Sequence, residues 1–122
     1  MKKLSIIGGE KLNGKIKISG SKNTSLPILF STILFDTEVT LNNIPEVSDI
    51  NVTIKLLENL GVKVQKINNN SYVFNAKNMN SYLAPYEIVK QMRASFYTLG
   101  ALLGRFGKAK VSLPGGCAIG IR

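Results

Sequence analysis

The run from Leu26 to Phe35 is apolar nearly all round. A helix with no broad polar face has to be covered on most of its sides, so this stretch demands further layers packed around it. The 122 residues, 44% of them hydrophobic, are enough to build such a core. Pro27 has no backbone N–H and is tolerated in a helix only near its first turn, which places the expected helix start at about Asn23 or Thr24.

The flanking sequence supplies the other layers. Residues 1–20 read as short strands with turns at Gly8–Gly9 and Asn13–Gly14, and Lys15–Ile16–Lys17–Ile18–Ser19 alternates as a half-buried strand should. Val39–Asn42 is a β-rich run, and Pro45 separates it from a second helix marked by Val47, Ile50, Ile54 and Leu57. Gly61 stops that helix. Val62–Val64 and Tyr72–Phe74 flank Asn68–Asn70, asparagines that tolerate the left-handed conformation of a hairpin turn. The order is strand, helix, strand, helix, strand, strand.

A second unit begins after Asn80. Pro85 suits the first turn of a third helix, whose apolar stripe is Val89, Met92, Phe96, Leu99 and Leu103. At about 100° per residue, Arg93 falls only about 40° from Val89, inside or at the edge of that stripe, whereas Glu87 and Arg105 fall on the opposite side. Lys110–Leu113 then reads as a strand leading into the last loop. With the covering layers so counted, helix faces such as Leu26, Leu29 and Ile33 are expected to stay short of cover, and the chain to be loosely folded or self-associating.

Sixteen Lys and Arg against seven Asp and Glu give a formal charge of +9, which suits an anionic partner. The lysines are scattered over strands and turns, and neither interleaved aromatics nor a nucleic-acid-binding signature accompanies them, which argues against a nucleic-acid partner. No stretch approaches the about 18 to 20 consecutive apolar residues of a membrane span, and the apolar run after Lys2 and Lys3 is too short for a signal-peptide core. A cytoplasmic protein without a membrane association is expected. One cysteine and no histidine exclude an internal disulfide, a cysteine-based zinc site and imidazole acid–base chemistry.

Five residues stand out as candidates. Lys22 and Asn23 fall at the positive end of the first helix, beside N–H groups without intrahelical partners, an anion site in outline. The alternative is that Ser21, Asn23 or Thr24 only caps the helix and Lys22 is solvated. Arg93 either snorkels past Phe96 or points into a cleft to meet a phosphate. The last stretch, Leu113–Pro114–Gly115–Gly116–Cys117–Ala118–Ile119–Gly120–Ile121–Arg122, leaves no room for a helix or central strand and reads as a loop presenting Cys117 near the fixed charge of Arg122. The alternative is a small apolar cysteine in a plain turn.

Leu113–Gly120 with Arg122, Gly20–Ser21–Lys22–Asn23 and Gln91–Met92–Arg93–Ala94–Ser95 together resemble the motifs of the enolpyruvyl transferase family, and in particular its UDP-N-acetylglucosamine 1-carboxyvinyltransferase branch. The resemblance implies an α+β fold, the alpha-beta prism or inside-out α/β barrel of βαβαββ repeats, with one complete unit and about half of a second. Residues 1–20 would be strands packing with the other, C-terminal domain, and 21–122 a partial N-terminal domain, in which 21–75 complete the first unit and 81–122 start the second with its catalytic loop. An N-terminal fragment is expected, with the C-terminal part of the same enzyme as its missing partner and no activity alone.

The implied reaction joins phosphoenolpyruvate to the 3'-hydroxyl of UDP-N-acetylglucosamine with release of phosphate, the first committed step of peptidoglycan synthesis. By resemblance Cys117 is the catalytic acid and the residue alkylated by fosfomycin. Lys22, Asn23 and Arg122 would hold phosphate and carboxylate groups, and Arg93 with Arg122 would face the nucleotide sugar. No metal and no cofactor are required. Two rivals stand beside this reading: a 5-enolpyruvylshikimate 3-phosphate synthase relative, against which the Pro–Gly–Gly–Cys loop speaks, and a non-catalytic basic module binding RNA or another polyanion.

Overall fold

The computed structural model describes residues 3–113, so Cys117 and Arg122 lie outside the described residues. From Lys22 onward the elements are α1 (Lys22–Ser31), a 3-10 turn (Thr32–Leu34), β1 (Val39–Leu41), α2 (Ser48–Asn59), β2 (Lys63–Asn68) and β3 (Ser71–Asn75). There follow β4 (Leu83–Ala84), the single-turn α3 (Tyr86–Val89), a second 3-10 turn (Arg93–Phe96), α4 (Tyr97–Phe106) and β5 (Lys110–Val111).

α1 starts one residue before the expected Asn23, because Ser21 caps it: its Oγ accepts from the Thr24 N–H at 3.4 Å. Pro27 consequently sits in the second turn, not the first, and the helical bond that residue 27 would donate to the Asn23 carbonyl is absent. At the far end Ser31 and Thr32 donate their hydroxyls to the Ile28 and Leu29 carbonyls, each at 2.7 Å, satisfying acceptors that the ending helix leaves over.

β1, β3 and β2 form an antiparallel sheet in the order β1-β3-β2, with Thr40 opposite Val73 and Val73 opposite Gln65. The β2–β3 hairpin is the expected one, but its asparagines do not take the left-handed conformation. Among non-glycine residues described, only Asn43 does, at φ 59°. α2 ends as its sequence demands: Gly61, at φ 97°, turns the chain so that its N–H donates to the Glu58 carbonyl and that of Val62 to the Leu57 carbonyl, both at 3.0 Å.

No strand forms between residues 3 and 20. Lys15–Ser19 carries the alternation of a strand, yet Ile16 and Ile18 are 91% and 83% exposed. Alternation settles which side chains share a face, whereas a strand also needs a neighbouring backbone to complete its ladder, and none among the described residues does so. The first unit is therefore αβαββ here, one strand short of the complete βαβαββ expected.

The core is one contiguous cluster. Leu29, Phe30 and Ile33 meet Ile50, Leu56 and Leu57 of α2, Phe74 of β3 and Leu102 of α4, all fully buried. Leu26, Leu29 and Ile33, expected to lack cover, are buried because α4 packs across α1 and the turn after it. That closure is tight: a Cβ on Gly104 would come within 2.8 Å of Leu34 Cδ2.

The third helix does not run unbroken. α3 stops at Val89 and the chain turns through Lys90–Met92 before helical geometry resumes. Ser95 makes the corner: fully buried, its hydroxyl lies 3.0 Å from the Val89 carbonyl and 2.6 Å from that of Met92. The break shifts the helical register, so Val89 and Met92 are buried as expected but Phe96 and Leu103 are exposed, and Thr98, Ala101 and Leu102 face inward instead. Pro85 is the N-cap of α3 rather than part of its first turn. β5, two residues long, pairs in parallel with β4, a strand that the sequence reading missed. Among the described residues no helix is long and apolar enough to cross a membrane.

Candidate functional site

The start of α1 is held from below by a close backbone approach. A Cβ on Gly20 would lie 1.8 Å from the Asn43 carbonyl oxygen, so glycine alone fits there. The carbonyl is itself fixed, since the neighbouring Ile44 N–H donates to the Asn70 carbonyl at 2.8 Å while Asn70 Nδ2 donates to the Ile44 carbonyl at 3.0 Å. The β2–β3 turn thus holds the Asn43 corner, the corner holds Gly20, and Gly20 leads directly into Ser21–Lys22–Asn23.

Asn23 opens onto a cleft of about 380 Å3 lined by Asn23, Leu26, Arg93, Ala94, Phe96 and Tyr97. Two of the sequence candidates, from opposite ends of the described chain, therefore share one wall-to-wall space. Arg93 does not lie on a buried helix face: it is exposed, at the first position of the 3-10 turn that the Ser95 corner creates. None of the four ion pairs among the described residues involves it. Tyr97 makes a tilted ring contact with buried Phe30, 6.4 Å between centroids, which steadies that side of the cleft.

Lys22 does not line this cleft. Its Nζ lies 2.9 Å from Asp49 Oδ2, in the first turn of α2, with side-chain exposures of 48% and 33%. The other arginine among the described residues reverses the expected burial. Arg105 was placed by periodicity on the solvent side, yet its side chain is only 13% exposed. Nη1 donates to the Ile33 carbonyl at 2.7 Å, and Nη2 donates to the Ala76 carbonyl at 2.8 Å and to Asp36 at 3.0 Å. The buried guanidinium with satisfied donors is Arg105, and Arg93 is the one left facing open space.

Asp49, Ser95 and Arg105 escaped the sequence reading. Ser95 stood in a motif already singled out, and Asp49 is an acid at a helix start, where it would be read as a dipole partner; nothing in the periodicity marks Arg105.

A family model described as EPSP synthase (3-phosphoshikimate 1-carboxyvinyltransferase) matches residues 6–122. The chain belongs to that family. Among curated relatives, a UDP-N-acetylglucosamine 1-carboxyvinyltransferase of Hamiltonella defensa is 54% identical over all 122 residues, and one of Geotalea uraniireducens is 56% identical over the same length. In each case this EPSP synthase family chain spans 29% of the relative. A relative of the same name from Photorhabdus laumondii is 52% identical, with 28% of it spanned. The crystal structure of the enolpyruvyl transferase NikO from Streptomyces tendae superposes with a TM-score of 0.70 at 22% identity, covering 84% of this chain and 24% of that one. The α+β fold is thus that of an enolpyruvyl transferase, of which the family member described here contains one part.

Proposed function

We propose that this chain forms the anion-binding part of a UDP-N-acetylglucosamine 1-carboxyvinyltransferase, which transfers the enolpyruvyl group of phosphoenolpyruvate to the sugar 3'-hydroxyl and releases inorganic phosphate. The observation that carries the reading is the meeting of Asn23 and Arg93 across one cleft, in a family member whose relatives bear that enzyme's name. Asn23 offers an amide at the positive end of α1, and Arg93 a guanidinium free to take up a phosphate fork. Lys22, one residue before Asn23, adds a second cation close by. Phe96 and Tyr97 give the cleft an apolar margin beside those charges.

Addition of an alcohol to the central carbon of an enol ether needs a proton at the methylene carbon, and a positioned thiol supplies one. Cys117 is assigned that role, and Arg122 that of holding phosphate or carboxylate; the thiolate that remains is also a nucleophile open to alkylation by the epoxide fosfomycin. A location in the cytoplasm and a role in peptidoglycan synthesis follow from the same reading. Residues 1–20 would pack with the other, C-terminal domain of the complete enzyme, which suits the exposure of Leu4, Ile7, Leu12 and Ile16.

The test replaces the matching first part of the Geotalea relative with these 122 residues and measures phosphate release from phosphoenolpyruvate. Release dependent on UDP-N-acetylglucosamine is expected, and Cys117→Ser in the chimera should abolish it while nucleotide-sugar binding persists. Undiminished turnover by Cys117→Ser, or an inactive chimera that still binds both substrates, would refute the assignment.

A further inference from the structure

α1, like α4, has no acid in its first turn, and in this it differs from α2 and α3. α2 carries Asp49 in its first turn and α3 carries Glu87, each an acid where the helix dipole favours one. The first turn of α1 has no acid, and it opens instead on Lys22. A cation at a helix N-terminus is repelled by the partial positive charge there unless an anion joins it. In the free protein that anion comes from the next helix: Asp49 Oδ2 stands 2.9 Å from Lys22 Nζ. Asp49 is well anchored, since its backbone carbonyl accepts from Thr53 Oγ1 at 2.9 Å and its carboxylate sits at the start of α2.

We infer that Asp49 occupies Lys22 in place of the ligand anion and sets how strongly the start of α1 discriminates among anions. The inference rests on the reading that Lys22 holds a phosphate or carboxylate of the substrate. A ligand group reaching Lys22 has to replace the carboxylate or share the ammonium with it, so a group carrying a single diffuse charge gains less than a phosphate dianion, which outweighs Asp49. Removing the carboxylate while keeping its shape therefore strengthens anion binding, an effect opposite in sign to that of structural damage. Because the pair is half exposed, the gain is small and sensitive to salt.

The experiment titrates the 122-residue chain with inorganic phosphate and, separately, with acetate, following the backbone amide signals of Ser21–Ser25. Asp49→Asn should bind phosphate about two- to five-fold more tightly at low ionic strength, as expected for releasing an exposed ion pair. The gain for acetate should be proportionally larger, and both should vanish near 1 M salt, where the screening length is about 3 Å. In a Lys22→Ala background Asp49→Asn should bring almost no gain. Weaker or unchanged phosphate binding by Asp49→Asn overturns the inference, as does a gain that survives in the Lys22→Ala background. If Lys22→Ala alone leaves phosphate binding intact, it is the assignment of Lys22 to the anion that falls. If Lys22→Ala weakens binding but Asp49→Asn does not tighten it, that assignment stands and only the role of Asp49 is lost.

Discussion

Truncating Arg105 to alanine removes a side chain that ties α4, the turn after α1 and the end of β3 together. Its guanidinium donates to the backbone carbonyls of Ile33 and Ala76 at 2.7 and 2.8 Å, more distantly to that of Phe35 at 3.5 Å, and to the carboxylate of Asp36 at 3.0 Å. A hydrogen bond from a charged donor contributes about 1.5 to 3 kcal/mol. The Asp36 carboxylate is 83% exposed, so the ion pair adds at most about 1 kcal/mol. Arg105→Ala should therefore cost about 3 to 5 kcal/mol, a large fraction of the roughly 5 to 15 kcal/mol of a typical domain. Arg105→Lys should lose about half as much, because one ammonium cannot span two carbonyls as the planar fork does. Asp36→Asn should lose less than about 1 kcal/mol. Urea unfolding of the 122-residue chain, followed by circular dichroism, ranks the three. If Arg105→Ala and Asp36→Asn agree within about 0.5 kcal/mol, the carbonyl contacts contribute nothing and the clasp is not what joins these elements.

Gly20→Ala should destabilise the chain by about 2 to 3 kcal/mol, since the new Cβ would meet a held backbone carbonyl, and it should move the amide signals of Ser21–Thr24. Gly8→Ala, with nothing within 4 Å of the added carbon, is the control and should change stability by less than about 0.5 kcal/mol; equal effects in urea would show that the close approach is not real. Thr98 Oγ1 is fully buried with no hydrogen-bond partner among the described residues, so Thr98→Val should raise stability by about 1 kcal/mol, and a loss of that size would mean that the hydroxyl is bonded after all.

Local pattern carried most of the first unit. The apolar run at Leu26, the stripe of α2 and the stop at Gly61 each encode their element within a few residues, and the hairpin forms at its asparagines although these do not take the left-handed conformation expected of them. The errors share a different cause. Lys15–Ser19 alternates identically whether or not a partner backbone lies alongside, and the stripe from Val89 to Leu103 conceals a corner made by one buried hydroxyl, which apolar periodicity does not register. That corner also exchanged the roles of the two arginines, turning Arg93 outward while Arg105 found carbonyls remote in sequence. Within the site, Asn23 and Arg93 were legible as residues but their meeting was not. The pairing of Lys22 with Asp49 joins two helices, and no window along the chain contains it.

The Ser95 corner bears on the entropy of binding. Immobilising a loop residue costs about 1 to 2 kcal/mol of backbone freedom, and an arginine side chain adds up to about 2 kcal/mol. An arginine on an untethered loop would incur both losses on meeting its ligand. At position 93 the backbone is already committed, because the next turn's hydroxyl reaches the carbonyls of Val89 and Met92 in the interior. Only the rotamers of the guanidinium arm remain to be lost, so folding has settled in advance the backbone part of the disorder that capture of an anion would otherwise have to overcome.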